Sequence, residues 1–534
     1  MKKERMDFRV ILLPIILSLT VFFQSNDGVF AWIYGHHHRS SSFNSHNRYN
    51  SKRLAPLFHG KTPTKDLPKR TKTSSNENED EDCIDKNEEE LRGLYPPSTS
   101  FRNGTLQVDE IHCLEYSIHG KKMEKDTLVP EGSSNQHKRP PLMALFLHGG
   151  PGAGSFPNHA RFFDPDRYQI VLLDQRGSGK STPRGETRNN TLLHLVEDCE
   201  TLRKTLEIPR WDVVLGGSWG TTLAIAYALS FPTSIRSLIL RGVCLLRQQE
   251  VDWLFSSTGG AAKQNPQAWK AFEQVALDSE GTSLKGGDIN NGSINPRRAL
   301  HACYQKFMGN NLEDRRRAAR AWMTWEYFVS VSHKLPASIN ISDTNATMKA
   351  INNWNKANMV SPVAVRTSRD EGWCYQDAWG NGLTDYTKNI GEFRQGLGIE
   401  EGELWNDFPI PYIEDGNETT SNSTNSTAMI PAQSMLTCFY ATNCGSQIDL
   451  LSLISQEQQQ LDNIPCVAIQ GGSDRICPPD TALDVCDVWP TMELRMPLLS
   501  GHSMYDPFIT HELVRATDRM ADRFFDEDAS TKET

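Results

Sequence analysis

The sequence predicts an α/β fold: a mostly parallel central sheet with helices on both faces and an inserted helical cap domain. Three observations predict it. Short, continuous apolar runs alternate with helical stretches, the pattern of strands buried on both faces. One run leads directly into Gly216-Gly217-Ser218-Trp219-Gly220 and then into an apolar helix at 221–230. The strand signal fades between about 245 and 460 and returns afterwards, as it does where a block is inserted into a sheet-forming chain.

Along the chain, residues 1–31 read as a secretory signal peptide. Four Lys/Arg lie within 1–9, and the run 10–23 is apolar except at Pro14, Ser18 and Thr20, a charged n-region followed by a short h-region. An uncleaved anchor is the alternative, but the run is shorter than the ~18–20 residues of a span, so no stable membrane span is expected after processing. Residues 32–95 read as a disordered targeting and linker segment. Its first part is basic and Ser-rich, with Asp66 the single acid between 33 and 75, and the stretch 77–90 carries nine acids beside Lys86. Like charges at that density repel and bury no apolar surface. The basic part is either a transit peptide behind the signal peptide, as in bipartite plastid import, or a plain linker. His36, His37 and His38 read as a solvated tract. The expected location is thus the secretory lumen or exterior, with a plastid as the alternative.

Residues 96–245 are expected to form the first part of the core. Leu142–Leu147 is a strand ending in His148-Gly149-Gly150-Pro151-Gly152; 170–173 is a second, ending at Asp174-Gln175-Arg176-Gly177; 213–215 and 238–240 follow. Residues 246–460 are expected to form the helical cap, with amphipathic pieces such as 315–330 and long Ser/Thr/Asn-rich loops at 335–350 and 413–434. Residues 461–528 are expected to complete the core, with strands at Cys466–Ile469 and near 492–499.

Composition narrows the function. The 534 residues include 56 Lys+Arg and 66 Asp+Glu, a net charge of −10, and 38% hydrophobic residues. The acidic balance argues against nucleic acid as a partner. The 11 cysteines are scattered without a Cys-x-x-Cys pair, which argues against a zinc site; one or two disulfides fit a secretory lumen. Eight Asn-x-Ser/Thr sequons (103, 189, 291, 340, 345, 417, 422 and 425) are compatible with that route.

The chemistry is carried by 216–220, which fits G-x-S-x-G. A serine between strand and helix adopts a strained backbone that lifts its hydroxyl off the sheet, and neighbours without side chains make room. Serine needs a base to act as a nucleophile at neutral pH. In this architecture the acid and then the histidine follow in the chain. His502, in Gly501-His502-Ser503 after a strand, is the expected base, with His511 a rival expected at the surface of a helix. Asp474, just past the strand Cys466–Ile469, is the expected acid; Asp480, Asp484 and Asp487 lie further into the next helix. The oxyanion donors are expected to be the N–H groups of Trp219 and Gly150. Two nucleotide patterns fail: Gly179-Lys180-Ser181 has Asp174 where a P-loop needs Gly, and the glycines from 150 have Ser155 where a dinucleotide loop needs Gly.

Five blocks, HGGPGAGS (148–155), FFDPDRYQIVLLDQRGSGKSTP (162–183), HLVEDCETLRKTLEI (194–208), GGSWGTTLAIAYA (216–228) and LRGVCLLRQQEVDW (240–253), closely resemble the proline iminopeptidase family of α/β-hydrolase serine exopeptidases. The resemblance continues through AWMTWE (321–326), IPCVAIQGGSDRICPP (464–479) and GHS (501–503). It implies the α/β-hydrolase fold, no metal or organic cofactor, and removal of an N-terminal proline from a peptide with a free amino group. It also implies that Glu326 holds that amine. The family's second amine-binding glutamate falls at Thr437 here, so Asp370 or Glu371 replaces it or the substrate has shifted. An esterase or small-acyl amidase on the same triad is the second expectation; a non-catalytic binding protein on this scaffold is the third.

Overall fold

The structure, a computed structural model, describes residues 91–122, 140–277, 289–290, 293–334, 349–350, 362–368, 372–377, 432–443 and 448–530. The signal-peptide reading, nearly all of the linker, His36–His38, Asp370, Glu371 and the sequons at 291, 340, 345, 417, 422 and 425 lie outside the described residues.

The chain runs through β1 (Arg102–Gln107), β2 (Cys113–Gly120), β3 (Leu142–Leu147), β4 (Tyr168–Leu173), α1 (Leu192–Thr205), β5 (Val213–Gly217), α2 (Trp219–Ser230) and β6 (Leu238–Arg241). The middle block supplies α3 (Gln248–Phe255), α4 (Gly260–Gln264), α5 (Pro266–Leu277), a hairpin of β7 (Ile289–Asn290) and β8 (Ser293–Ile294), α6 (Arg298–Met308) and α7 (Leu312–Val331). It continues with β9 (Val363–Arg366), β10 (Cys374–Gln376), α8 (Ala432–Asn443), α9 (Leu450–Gln456) and α10 (Gln458–Leu461). Then come β11 (Cys466–Ile469), α11 (Pro479–Val488), β12 (Glu493–Pro497) and α12 (Pro507–Ser530).

The main sheet has ten strands in the order β1-β2-β4-β3-β5-β6-β11-β12-β9-β10. The run from β4 to β12 is parallel, and β1, β2, β9 and β10 add antiparallel edges. Strand side chains point alternately to opposite faces, and here both faces are covered. Leu145 and Leu147 of β3 pack with the helix residues Leu195, Leu223 and Leu483. Leu142, Ala144 and Phe146 pack with Ile509, Leu513 and Phe524 of α12. Burial on both faces is why these strands read as unbroken apolar runs.

The middle helices form a separate aromatic core. Trp322 stacks on Phe255 with ring centroids 4.3 Å apart, and Trp325 Nε1 donates to Leu254 O at 3.0 Å. Asn311 starts α7 by accepting from the N–H groups of Glu313 and Asp314, and those two acids favour the positive end of the helix dipole.

The structure corrects four expectations. The middle block is not helical throughout, because β9 pairs antiparallel with β12 and β10 with β9. Strands of four and three residues at a sheet edge are too short for local pattern to reveal. The loop expected through 434 ends earlier, since α8 begins at Ala432. The linker expected to reach residue 95 gives way to folded chain by residue 91: Arg92 N–H donates to His511 Nδ1 at 2.7 Å and Tyr95 Oη to Asp518 Oδ1 at 2.7 Å. His511 is therefore buried, not at the surface, because α12 is packed on one side by the sheet and covered on the other by this segment. The nine described cysteines are all free thiols, and no group of described residues has the makings of a metal site. No described helix is long and apolar enough to cross a membrane.

Membership of β9 in the sheet has a direct test. Ala364 is fully buried and sits opposite Met496. Ala364→Asp is expected to lower unfolding free energy in urea by more than about 2 kcal/mol, as a buried unpaired charge does. A loop residue would change it by no more than about 0.5 kcal/mol.

Candidate active site

The site is built where β3, β5, β6, β11 and β12 end. Ser218 joins β5 to α2 with φ 55° and ψ −122°, a conformation that a non-glycine residue holds only when its surroundings impose it. Two close approaches impose it here. A Cβ on Gly216 would lie 2.3 Å from Gly220 O, and one on Gly220 would lie 2.1 Å from Leu147 O. Glycine at both positions lets the turn close against β3. Ser218 N–H donates to Arg241 O at 2.7 Å, and Ser218 O accepts from Thr221 Oγ1 at 2.7 Å.

Asp474 and His502 come together across the loops after β11 and β12. His502 Nδ1–H donates to Asp474 Oδ2 at 2.8 Å. Asp474 Oδ1 accepts from the N–H groups of Ile476 and Cys477, each at 2.9 Å, and the residue is buried. The imidazole is thereby fixed with Nε2 as its acceptor nitrogen. That nitrogen lies 3.3 Å from Arg241 Nη1, which also donates to His502 O at 2.9 Å. Arg241 is buried, and desolvation pushes its guanidinium below the usual range. Ser218 Oγ faces Cys477 Sγ at 3.8 Å, so the serine is not hydrogen-bonded to the imidazole in this conformation. Ser218 and His502 nonetheless meet at one residue: Arg241 holds the backbone of Ser218 through its carbonyl and touches His502 through its side chain.

The loop 148–152 lies over the start of α2. A Cβ on Gly149 would sit 3.1 Å from Ser218 Cβ. The loop is fastened from below. Gln175 N–H donates to His148 Nε2 at 3.1 Å, Gln175 Nε2 donates to His148 O at 2.8 Å, and Trp219 Nε1 donates to Gln175 Oε1 at 3.0 Å. With Nε2 accepting, His148 donates from Nδ1 to Gly149 O at 2.8 Å; burial holds this imidazole below its usual pKa, in keeping with the neutral form. As the first residue of α2, Trp219 has an N–H without an intrahelical acceptor.

Glu326, on α7, is half-buried. Its Oε1 accepts from Trp322 Nε1 at 2.9 Å and its Oε2 from Gln433 Nε2 at 3.2 Å. Desolvation raises its pKa to about 7, against the opposing pull of those two donors. Gln433 belongs to α8, whose start presses on the Gly loop: a Cβ on Gly152 would lie 2.8 Å from Gln433 Cα. One turn on, Thr437 is buried with Oγ1 donating to Pro151 O at 3.2 Å. The position at which the family resemblance implies a second carboxylate is thus a neutral residue against the loop of the expected oxyanion donor.

The alpha/beta hydrolase fold model matches residues 145–507, more than half of the chain. The chain belongs to the α/β-hydrolase family. This α/β-hydrolase is 41% identical over 236 residues to a proline iminopeptidase of Arabidopsis thaliana, a match spanning 44% of this chain and 53% of that one. It is 37% identical over 236 residues to a probable proline iminopeptidase of Leptolyngbya boryana, spanning 63% of that protein. It is 28% identical over 431 residues to the proline iminopeptidase of Xanthomonas citri, spanning 81% of this chain and all of that one.

Sequence reasoning missed Arg241, Cys477 and Gln433. Arg241 left a trace, a charged residue ending the apolar strand Leu238–Arg241. Cys477 lies three residues after Asp474 with no local mark. Gln433 fell in a stretch read as loop. The rival acids are engaged elsewhere: Asp484 Oδ2 accepts from Arg247 Nη1 at 2.8 Å and Asp487 Oδ1 from Arg366 Nη1 at 3.0 Å.

Proposed function

We propose that this α/β-hydrolase is a serine aminopeptidase that releases N-terminal proline from peptides through an acyl-enzyme on Ser218. The observation that carries the reading is the pairing of His502 Nδ1 with Asp474 Oδ2 at 2.8 Å beside a serine at φ 55°. The similarity to proline iminopeptidases, over 81% of the chain in one case, supports the substrate class.

In this mechanism Ser218 Oγ attacks the prolyl carbonyl and its proton passes to His502 Nε2. The Asp474 carboxylate holds the resulting imidazolium. The N–H groups of Gly150 and Trp219 receive the developing oxyanion; one such donor is typically worth about 2.7–4 kcal/mol of barrier. His502 then gives the proton to the departing peptide amine. Water attacks the ester with His502 as base, and proline leaves. The reaction requires Arg241 Nη1 to release Nε2 and the Ser218 hydroxyl to turn from Cys477 towards it as substrate binds, a tightening that such hydrogen bonds undergo in the substrate complex. Glu326 pairs with the charged amine, and the middle helices limit access to a chain terminus.

A second reading, an esterase or amidase acting on another small acyl group, is favoured by one observation: Thr437 stands, buried, where the family resemblance expects a second carboxylate. Comparing a proline arylamide, its N-blocked twin and a short ester separates the two. The aminopeptidase reading expects the free-amine substrate to exceed the blocked one by at least tenfold in kcat/KM. Equal turnover, or a preference for the ester alone, contradicts it.

The raised pKa of Glu326 gives a pH signature. A carboxyl titrating at about 7 is neutral below that pH and charged above it, so amine capture weakens as pH falls. KM for the proline arylamide is expected to rise roughly tenfold from pH 8 to pH 6, and Glu326→Gln to remove that dependence while raising KM throughout. A flat KM in the parent protein would exclude this role for Glu326.

A further inference from the structure

Helix α7 ends in a single tight turn, Ser332–Lys334. Its three residues reach, one after another, the chain neighbours of both Asp474 and His502. Ser332 Oγ accepts from Arg475 Nη1 at 2.9 Å, and Arg475 follows Asp474. The ring of His333 lies against Gly501, so near that a Cβ there would fall 2.0 Å from His333 Cε1, and Gly501 precedes His502. Lys334 Nζ donates to Asp506 Oδ2 at 3.0 Å, while Asp506 Oδ1 accepts from Ser500 Oγ at 2.8 Å. The loop bearing His502 is thus tied at 500, 501 and 506.

These contacts are dry. Ser332, His333, Lys334, Ser500 and Asp506 are all buried, Lys334 at 6% and Asp506 at 1% exposure. Water competes little for such a pair, so its direction is well defined. A buried ion pair is a poor way merely to fill space, because apolar residues of similar volume are often as stable or more so. What the pair supplies here is a fixed distance between the end of α7 and the loop of the base. His502 needs that, since it sits on a loop rather than a strand, and an imidazole misplaced by about 1 Å loses much of its value as a base. The same helix carries Glu326, so one rigid element braces both the carboxylate and the base.

We infer that Lys334 and Asp506 are a positioning pair: through the 500–506 loop they hold the His502 imidazole where it can serve Ser218, without touching substrate. The inference rests on the serine-hydrolase reading of Ser218, Asp474 and His502, and not on proline as the substrate.

The test uses the full chain with Lys334→Met, Lys334→Gln, Ser332→Ala and, as a control, Arg203→Met, which breaks an ion pair with Glu200 inside α1, a helix that joins neither the Asp474 loop nor the 500–506 loop. Readouts are the rate of labelling by a fluorophosphonate, kcat and KM on the best substrate, circular dichroism and Tm. Lys334→Met is expected to slow labelling and kcat on the order of 10²-fold with KM little changed. Lys334→Gln, which keeps an N–H donor towards Asp506, is expected to recover most of that loss. Arg203→Met is expected to lower Tm and leave labelling as in the parent. A folded Lys334→Met that labels like the parent, or a control that slows labelling equally, overturns the positioning role. Should Lys334→Met not fold, Lys334→Gln and Ser332→Ala decide: slowed labelling at unchanged KM in either supports the role, and parent-like rates in both overturn it. A parent protein that takes no label at all overturns the hydrolase reading and this inference with it.

Discussion

The backbone of Ser218, at φ 55° and ψ −122°, lies where an L-residue stays only if its neighbours hold it. Strain of this kind costs of order 1–3 kcal/mol and persists because the surroundings over-determine it. Gly220 lets α2 approach the end of β3, and Gly216 lets β5 fold onto the start of α2, at distances that any Cβ would block. The Arg241 carbonyl receives the Ser218 N–H, and Thr221 secures the Ser218 carbonyl. Behind the turn, α2 is buried along almost its whole length, and fully burying even one Leu or Ile is worth about 1.5–3 kcal/mol. The hydroxyl is exposed to chemistry because the rest of the segment has no freedom to relax.

From that turn outward, each residue of the candidate site is held in place by its neighbours. The Gly loop is tied through His148 and Gln175 to the Trp219 ring, so loop and helix start share one hydrogen-bonded chain. Asp474 is oriented by two backbone N–H groups and presents its other oxygen to His502. Arg241 joins the serine backbone to the imidazole. On the side away from the sheet, α7 and α8 meet at Glu326 and Gln433. α8 then presses on the Gly loop, and the end of α7 is fastened to the loops that carry Asp474 and His502. The middle block is therefore mechanically part of the site rather than a lid resting on it.

Much of this was legible in the sequence, for reasons that are local. A parallel strand buried on both faces is a continuous apolar run, so β3, β4, β5, β6 and β11 announced themselves, and Ser218 and Asp474 sit past the ends of β5 and β11, while His502 follows the more polar β12. What stayed hidden depends on contacts between distant positions. The strands β9 and β10 are short and find their register only against β12. His511 is buried by a segment more than four hundred residues earlier in the chain. Arg241 beside His502, Cys477 beside Ser218 and Gln433 beside Glu326 are pairings that no window of sequence contains. The likeness to a known family reached Glu326 and the substitution at Thr437, and the structure added that Thr437 is in contact with the Gly loop.

In the proposed reaction the hydroxyl of Ser218 carries the acyl group of the substrate. Mass spectrometry of the protein quenched in acid during turnover of a prolyl ester, followed by digestion and peptide sequencing, detects that group. One prolyl group added per chain, located on Ser218, is expected. A protein that turns over the ester with no adduct, or with the adduct on another residue, would contradict it.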